Sequence, residues 1–133
     1  MRYRGHDIFG CQPWCQGPTA LEALAILEGY DLAALGHNSA DALHLILEAL
    51  KAAFADRERY VGDPRFVDVP VAGMLSAGYA AEWRSRIDPA RAFPGMPDPG
   101  DPRRYQAGGP TAAGDYRAPA AFDAPVEPDT SYL

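Results

Sequence analysis

SADALHLILEALKAAFADRERYVGD, from Ser39 to Asp63, is the stretch whose spacing decides the fold. Leu43, Ile46, Leu47, Leu50 and Phe54 recur at steps of three and four, which places them on one face of an α-helix. His44, Glu48, Lys51, Ala55 and Glu58 fall mostly on the other side; a chain that is an isolated slice of a larger fold is expected to expose the apolar face of Leu43, Leu47 and Phe54. Ser39 is an N-cap, because its hydroxyl can accept a first-turn amide hydrogen. Asp41 then lies where the helix dipole favours a negative charge. Gly62 is expected to end the helix in the left-handed conformation, with Pro64 barring any continuation. Such a helix needs a partner surface, since packing supplies most of its stability.

The preceding segment, Thr19 to Glu28, is the natural partner. Thr19 and Glu22 form a T-x-x-E capping-box pattern; the alternative start has Pro18 as first helical residue behind a Gly17 cap. Leu21, Leu24, Ala25 and Glu28 share a face, and Gly29 terminates the element. A short turn at Leu32–Leu35 then lets the two helices pack as a hairpin. Further out, Tyr3–Phe9 reads as a small β-hairpin around Gly5-His6, with His6 a turn residue. CQPWCQGP, Cys11 to Pro18, is a loop punctuated by proline and glycine, and Trp14 in it reads as a packing residue. Arg65–Val69 reads as a packed loop. Val71–Ser76 and Ala77–Ile87 read as two short helices carrying a core stripe of Met74, Leu75, Tyr79, Trp83 and Ile87.

Eight of the thirteen prolines follow Phe93, so the core must come from the first part of the chain. Residues 94–129, rich in Pro, Gly, Ala and charge, read as a flexible linker. The net charge of −6 argues against non-specific nucleic-acid binding, which needs Lys and Arg against phosphates. Arg84, Arg86, Arg103 and Arg104 form no stripe and read as surface charges. The first residues lack the pattern of a signal peptide, and no stretch approaches a membrane span. Made as it stands, the chain would be cytoplasmic. Two cysteines without a second ligand pair read as free thiols, with a short disulfide and a metal site as the alternatives. No cofactor is expected.

Four marks in order carry a resemblance: Leu27-Glu28-Gly29-Tyr30-Asp31, Ser39-Ala40-Asp41, Ala53-Phe54-Ala55-Asp56-Arg57, and Gly62-Asp63-Pro64 through Val67. Together, at this spacing, they resemble the γ-glutamyltranspeptidase family. The resemblance implies an N-terminal-nucleophile hydrolase fold, a sandwich of helices over sheets to which this mainly α segment contributes helices. It implies residues 1–93 as a helical part of the large-subunit region, 94–129 as linker and 130–133 as the start of the small-subunit region. The loop Cys11–Pro18 stands where the family has a Pro-Pro-Ser-Ser-Gly-Gly-type turn; Pro13 and Gly17 agree with it, while Trp14, Cys15 and Gln16 depart. Many family members are periplasmic or extracellular.

The same resemblance assigns the chemistry to the last residues, Asp129-Thr130-Ser131-Tyr132-Leu133. A family precursor cuts itself before a threonine, here between Asp129 and Thr130, and Thr130 becomes the nucleophile. Ser131 keeps the hydroxyl of the family's second threonine; Tyr132 replaces a histidine. A hydroxyl is a weak nucleophile until a base takes its proton, and a free α-amine of pKa about 8 on the same residue can do so. The acyl group passes to Thr Oγ as an ester, and water or an amino acid or peptide amine releases it. Glutathione is the family's usual donor, and large and small subunits derive from one precursor. The carboxylate-binding arginine is expected upstream of Met1, and the oxyanion glycines beyond Leu133. His37, His44, Asp56 and Asp63 carry no catalytic assignment, and Asp56 with Arg57 reads as a structural charge pair. Taken alone, Thr130 is an ordinary tail residue, and the other class of reading is a stand-alone, non-catalytic helical module.

Overall fold

The computed structural model describes residues 1–106. It opens with a hairpin, β1 (Arg2–Tyr3) antiparallel to β2 (His6–Asp7), in the register Arg2↔Asp7 and Tyr3↔His6. The turn falls on Arg4 and Gly5, both with positive φ, which suits the twist of a two-residue hairpin connection. His6 is therefore a strand residue and not the turn. Helices follow: α1 (Gly17–Leu27), α2 (Leu32–Leu35), α3 (Ala40–Tyr60), α4 (Val71–Met74) and α5 (Ala77–Arg86), then a single 3₁₀ turn at Pro102–Tyr105. Arg65–Val69 is loop, as its mixed composition suggests.

Helix starts follow side-chain chemistry. The Ser39 hydroxyl accepts from the Ala42 amide at 3.1 Å, Ser76 from Tyr79 at 3.2 Å, and Asp31 from Ala34 at 3.1 Å. α1 starts differently from the capping-box expectation. Gly17 and Pro18 are its first residues, while Thr19 and Glu22 lie inside the helix, buried. Pro at this position loses no helical hydrogen bond, and Gly17 fits because its Cα packs on Cys11; a Cβ would collide with the Cys11 carbonyl oxygen. The end of α3 also differs. Val61 leaves the helix in an extended conformation, and Gly62 has no positive φ; it instead makes room for Val67, which a Cβ would meet at 2.9 Å.

α1 packs on α3 and α5, and the core is Ala25, Ile26, Leu27, Leu45, Ala49, Ala52, Tyr79, Ala80, Trp83 and Ile87. The stripe of α4 and α5 is buried as its spacing indicates, Leu75 only partly. The leucine face of α3 is exposed, as expected of a slice of a larger fold. Ala49, Ala52 and Ala53 have no exposed surface, whereas Leu43, Leu47 and Phe54 are 44%, 57% and 37% exposed. Small residues let α1 approach α3 closely, so the alanine face is the one that packs within this chain, and Glu48 and Ala55 are buried with it. Trp14 is also half exposed and not a core residue. No helix among the described residues is long and apolar enough to cross a membrane.

Candidate functional site

Asp56 occupies the centre of the packed helices. It is fully buried, and its Oδ2 accepts from the Tyr79 hydroxyl at 2.6 Å and from Trp83 Nε1 at 2.8 Å. Its Oδ1 accepts from the Gly100 amide at 2.8 Å. The Asp56–Arg57 charge pair expected from sequence is absent; Arg57 pairs with Glu58 at 2.6 Å. One helical turn separates solvent from core, and consecutive residues point in different directions.

Glu22 of α1 shares this pocket. It has no exposed surface, and no N–H donor reaches either oxygen. Burial raises its pKa well above the ordinary 4.5, and a hydrogen bond to Asp56 and that group's charge raise it further. Glu22 is thus held in its protonated form beside Asp56. Burial also pushes the Tyr79 hydroxyl upward, aided by the bond to Asp56, so it stays a donor.

A second buried carboxylate holds the same stretch of chain. Glu48 accepts from Lys51 Nζ at 2.7 Å and from the Phe93 amide at 2.8 Å. Burial alone would raise its pKa, but the Lys51 bond, the Phe93 amide and the charges of Lys51 and His44 outweigh it and hold the group low. His44 contacts the Asp88 carbonyl at 2.9 Å. Tyr60 donates to the Gly100 carbonyl at 2.8 Å, and Arg86 to the Asp98 carbonyl at 2.8 Å while lying 3.8 Å over the Trp83 ring. Gly100 has to be glycine, since a Cβ would collide with the Tyr79 hydroxyl. Residues 94–106 are accordingly fastened to α3 and α5, which differs from the flexible linker expected there; Pro102 is buried against Gly73. Polar side chains from α3 supply the order that apolar content lacks.

The four sequence marks have visible tasks. Glu28 accepts the Arg4 amide, Arg84 fills the niche that Gly29 leaves, and Asp31 caps α2. Arg84 is thus not a loose surface charge: it donates to the Ala25 and Ile26 carbonyls at 3.2 Å each. Asp63 binds Arg65, whose side chain and amide hold the Asp63 carboxyl below the usual range. His37 is exposed. Thr130 and Ser131 lie outside the described residues, and so does the linker beyond 106. Among the described residues, no three His, Cys, Asp or Glu side chains gather as metal ligands. What the buried carboxylates do here is positional: they fix the chain's course as it leaves α5 toward the tail.

The family profile described as gamma-glutamyltranspeptidase matches residues 1–133. The chain belongs to the γ-glutamyltranspeptidase family. An acylase ACY 1 proenzyme of Pseudomonas sp. (strain SE83) is 48% identical over 91 residues, covering 68% of this chain and 16% of that protein. A glutathione hydrolase proenzyme of Pseudomonas sp. (strain A14) is 41% identical over 91 residues, again 68% and 16%. The crystal structure of Helicobacter pylori gamma-glutamyltranspeptidase superposes with a TM-score of 0.67 at 35% identity, covering 70% of this chain and 27% of that one. The chain thus spans about a sixth of the length of these curated relatives. The fold class follows: a helix-rich segment, with one small two-stranded sheet, of the N-terminal-nucleophile hydrolase architecture.

Proposed function

We propose that this polypeptide is a segment of a self-processing precursor of the γ-glutamyltranspeptidase type, running from the large-subunit region through the threonine that begins the small subunit. The observation that supports the reading is the family match over all of 1–133; the role of Thr130 rests on resemblance to the family's processing threonine. In the intact protein, cleavage between Asp129 and Thr130 frees the Thr130 α-amine. That amine takes the proton from Oγ, and Oγ attacks the γ-glutamyl carbonyl of a donor such as glutathione. Fixed N–H donors hold the oxyanion, and water or an amine resolves the ester. Ser131 is the hydroxyl beside the nucleophile. The division into a helical segment, a linker and a small-subunit start belongs to this proposal.

The exposed stripe of Leu43, Leu47 and Phe54 supports the segment reading. Large apolar residues aligned on one helix face are the mark of a surface that packs against something else. The acylase relative favours a second substrate reading, in which the released acyl group is not γ-glutamyl. On either reading this chain alone is inactive, because it spans so little of the relatives' length.

The test is to extend the reading frame on both sides and express the whole. Mass spectrometry of the product is expected to find two chains, the second beginning at Thr130, and one uncut chain for Thr130→Ala. A γ-glutamyl anilide and a simple acyl amide, offered in parallel, then separate the two substrate readings. A full-length product that stays single and releases neither acyl group overturns the proposal.

A further inference from the structure

The loop between β2 and α1 brings the only two cysteines of the sequence together. Both thiols are free and exposed. The Cys15 amide donates to the Gln12 carbonyl at 2.9 Å, so the chain reverses between them. The Cys11 backbone lies directly against Gly17, the first residue of α1, so the loop closes on itself at the helix start. The Cys11 side chain and the Gln16 and Gly17 amides act on the Cys15 thiol. These donors favour the thiolate and hold Cys15 below the ordinary thiol range, Cys11 contributing most. Glycine at position 17 is what permits the arrangement, since any side chain there would drive Cys11 away.

We infer that Cys11 and Cys15 form a reversible dithiol–disulfide pair that exchanges with low-molecular-weight disulfides, Cys15 attacking and Cys11 resolving. In the first step the Cys15 thiolate attacks one sulfur of the small disulfide. A mixed disulfide forms on Cys15, and one small thiolate leaves and takes up a proton. In the second step Cys11, its proton passing to solvent, attacks the Cys15 sulfur and expels the second small thiolate. The sum is one small disulfide plus two protein thiols giving one protein disulfide plus two small thiols; the protein loses two electrons and the small disulfide gains them. Exposure leaves the protein disulfide open to the reverse reaction, as in labile rather than structural disulfides. The pair is a redox element independent of the threonine chemistry, since it needs neither Thr130 nor any residue beyond the described ones.

The experiment incubates the full chain, fully reduced, with oxidised glutathione at neutral pH and maps both cysteines by mass spectrometry. The expected product is an intramolecular Cys11–Cys15 disulfide with no lasting glutathione adduct, reversed by reduced glutathione. Cys11→Ser is expected to trap the mixed disulfide on Cys15. With a limiting alkylating agent, Cys15 is expected to react about threefold faster than Cys11 or more, following the balance of thiolate fraction against nucleophilicity. That preference should fall to about unity in concentrated guanidinium, where the loop and its donors are lost. Lasting adducts on both cysteines, disulfide-linked dimers, no reaction, or a preference that survives unfolding would each overturn the inference. The wild-type mapping decides the matter even if the variant fails to fold.

Discussion

Asp56→Asn probes the node on which the packing of α1, α3, α5 and residues 94–106 converges. The substitution keeps the shape and changes one acceptor atom into a donor. Besides the protonated Glu22, three donors point at Asp56: the Tyr79 hydroxyl, Trp83 Nε1 and the Gly100 amide. With its oxygen toward Tyr79 and Trp83, the new amide nitrogen faces the Gly100 N–H; flipped, it faces two donors instead of one. The first orientation costs less and leaves one buried donor unpaired, about 1–3 kcal/mol. The two surviving bonds change from charge-assisted to neutral, each losing on the order of 0.5–1 kcal/mol. The expected loss is therefore about 2–5 kcal/mol, a large share of the roughly 5–15 kcal/mol that holds a domain together. Urea unfolding followed by tryptophan emission measures it, because Trp83 passes from a buried bonded site to water. With a mid-range urea slope of about 2 kcal/mol/M, the midpoint should fall by about 1–2.5 M. Tyr79→Phe should cost only about 1 kcal/mol, since the carboxylate keeps its other partners. An Asp56→Asn midpoint indistinguishable from wild type, or a Tyr79→Phe loss as large, would refute the reasoning.

Glu22→Gln should flatten the pH dependence of stability. The raised Glu22 pKa means the folded chain binds the extra proton above the ordinary 4.5, so wild-type stability falls as pH rises through that window to the folded pKa. Glutamine stays neutral and removes this slope, which is about 1.4 kcal/mol for each pH unit the window spans, and urea titrations from about pH 4 to 8 read it. Glu48 works in the opposite sense: its lowered pKa contributes stability that is lost as pH falls through the carboxylate range. Gly100→Ala should release residues 94–106 from α3, because the new Cβ would strike the Tyr79 hydroxyl; limited proteolysis should cut there sooner than in wild type while α1 and α3 stay protected. Leu43→Gln with Leu47→Gln should reduce self-association of the chain without loss of helicity, measured by sizing and far-ultraviolet circular dichroism.

Element positions were largely legible in the sequence because the signals are local. Ser39, Ser76 and Asp31 start helices through bonds to residues three further on. The break at Ser76 and the stripe of Met74, Tyr79, Trp83 and Ile87 are equally local. The buried carboxylates were not legible. Glu22, Glu48 and Asp56 sit in apparently ordinary helical positions, and only tertiary packing reveals that each meets a partner 34 to 45 residues away. One signal pointed there: Asp56 lies within a family-like mark in which Ala53 and Ala55, both buried, are small enough for close packing. The order of 94–106 was hidden for the same reason, since its anchors are side chains on α3 and α5 and not its own composition. The proposed role of Thr130 rests on resemblance alone; nothing in its local chemistry distinguishes it from a tail residue.

Which face of α3 packs inside this chain is not set by hydrophobicity alone. Leucine and phenylalanine outrank alanine in any transfer scale, so the stripe of Leu43, Leu47 and Phe54 dominates the pattern. Burial inside this chain is decided instead by fit. Ala49, Ala52 and Ala53 lose all exposure because α1 can approach them to backbone distance, and Asp56 on that face gains partners no leucine face could supply. α3 thus carries large apolar residues on a second face that nothing within the described chain covers. On the proposed reading, this second surface is left for parts of the precursor outside the 133 residues. The two faces therefore divide the work: the alanine and carboxylate face builds the segment, and the leucine face is where the proposed remainder of the enzyme closes over it. Polar substitution on the second face should spare the isolated chain and damage the extended protein, whereas substitution at Ala49 or Ala52 should damage both, a contrast that a melt of each variant in each context would settle.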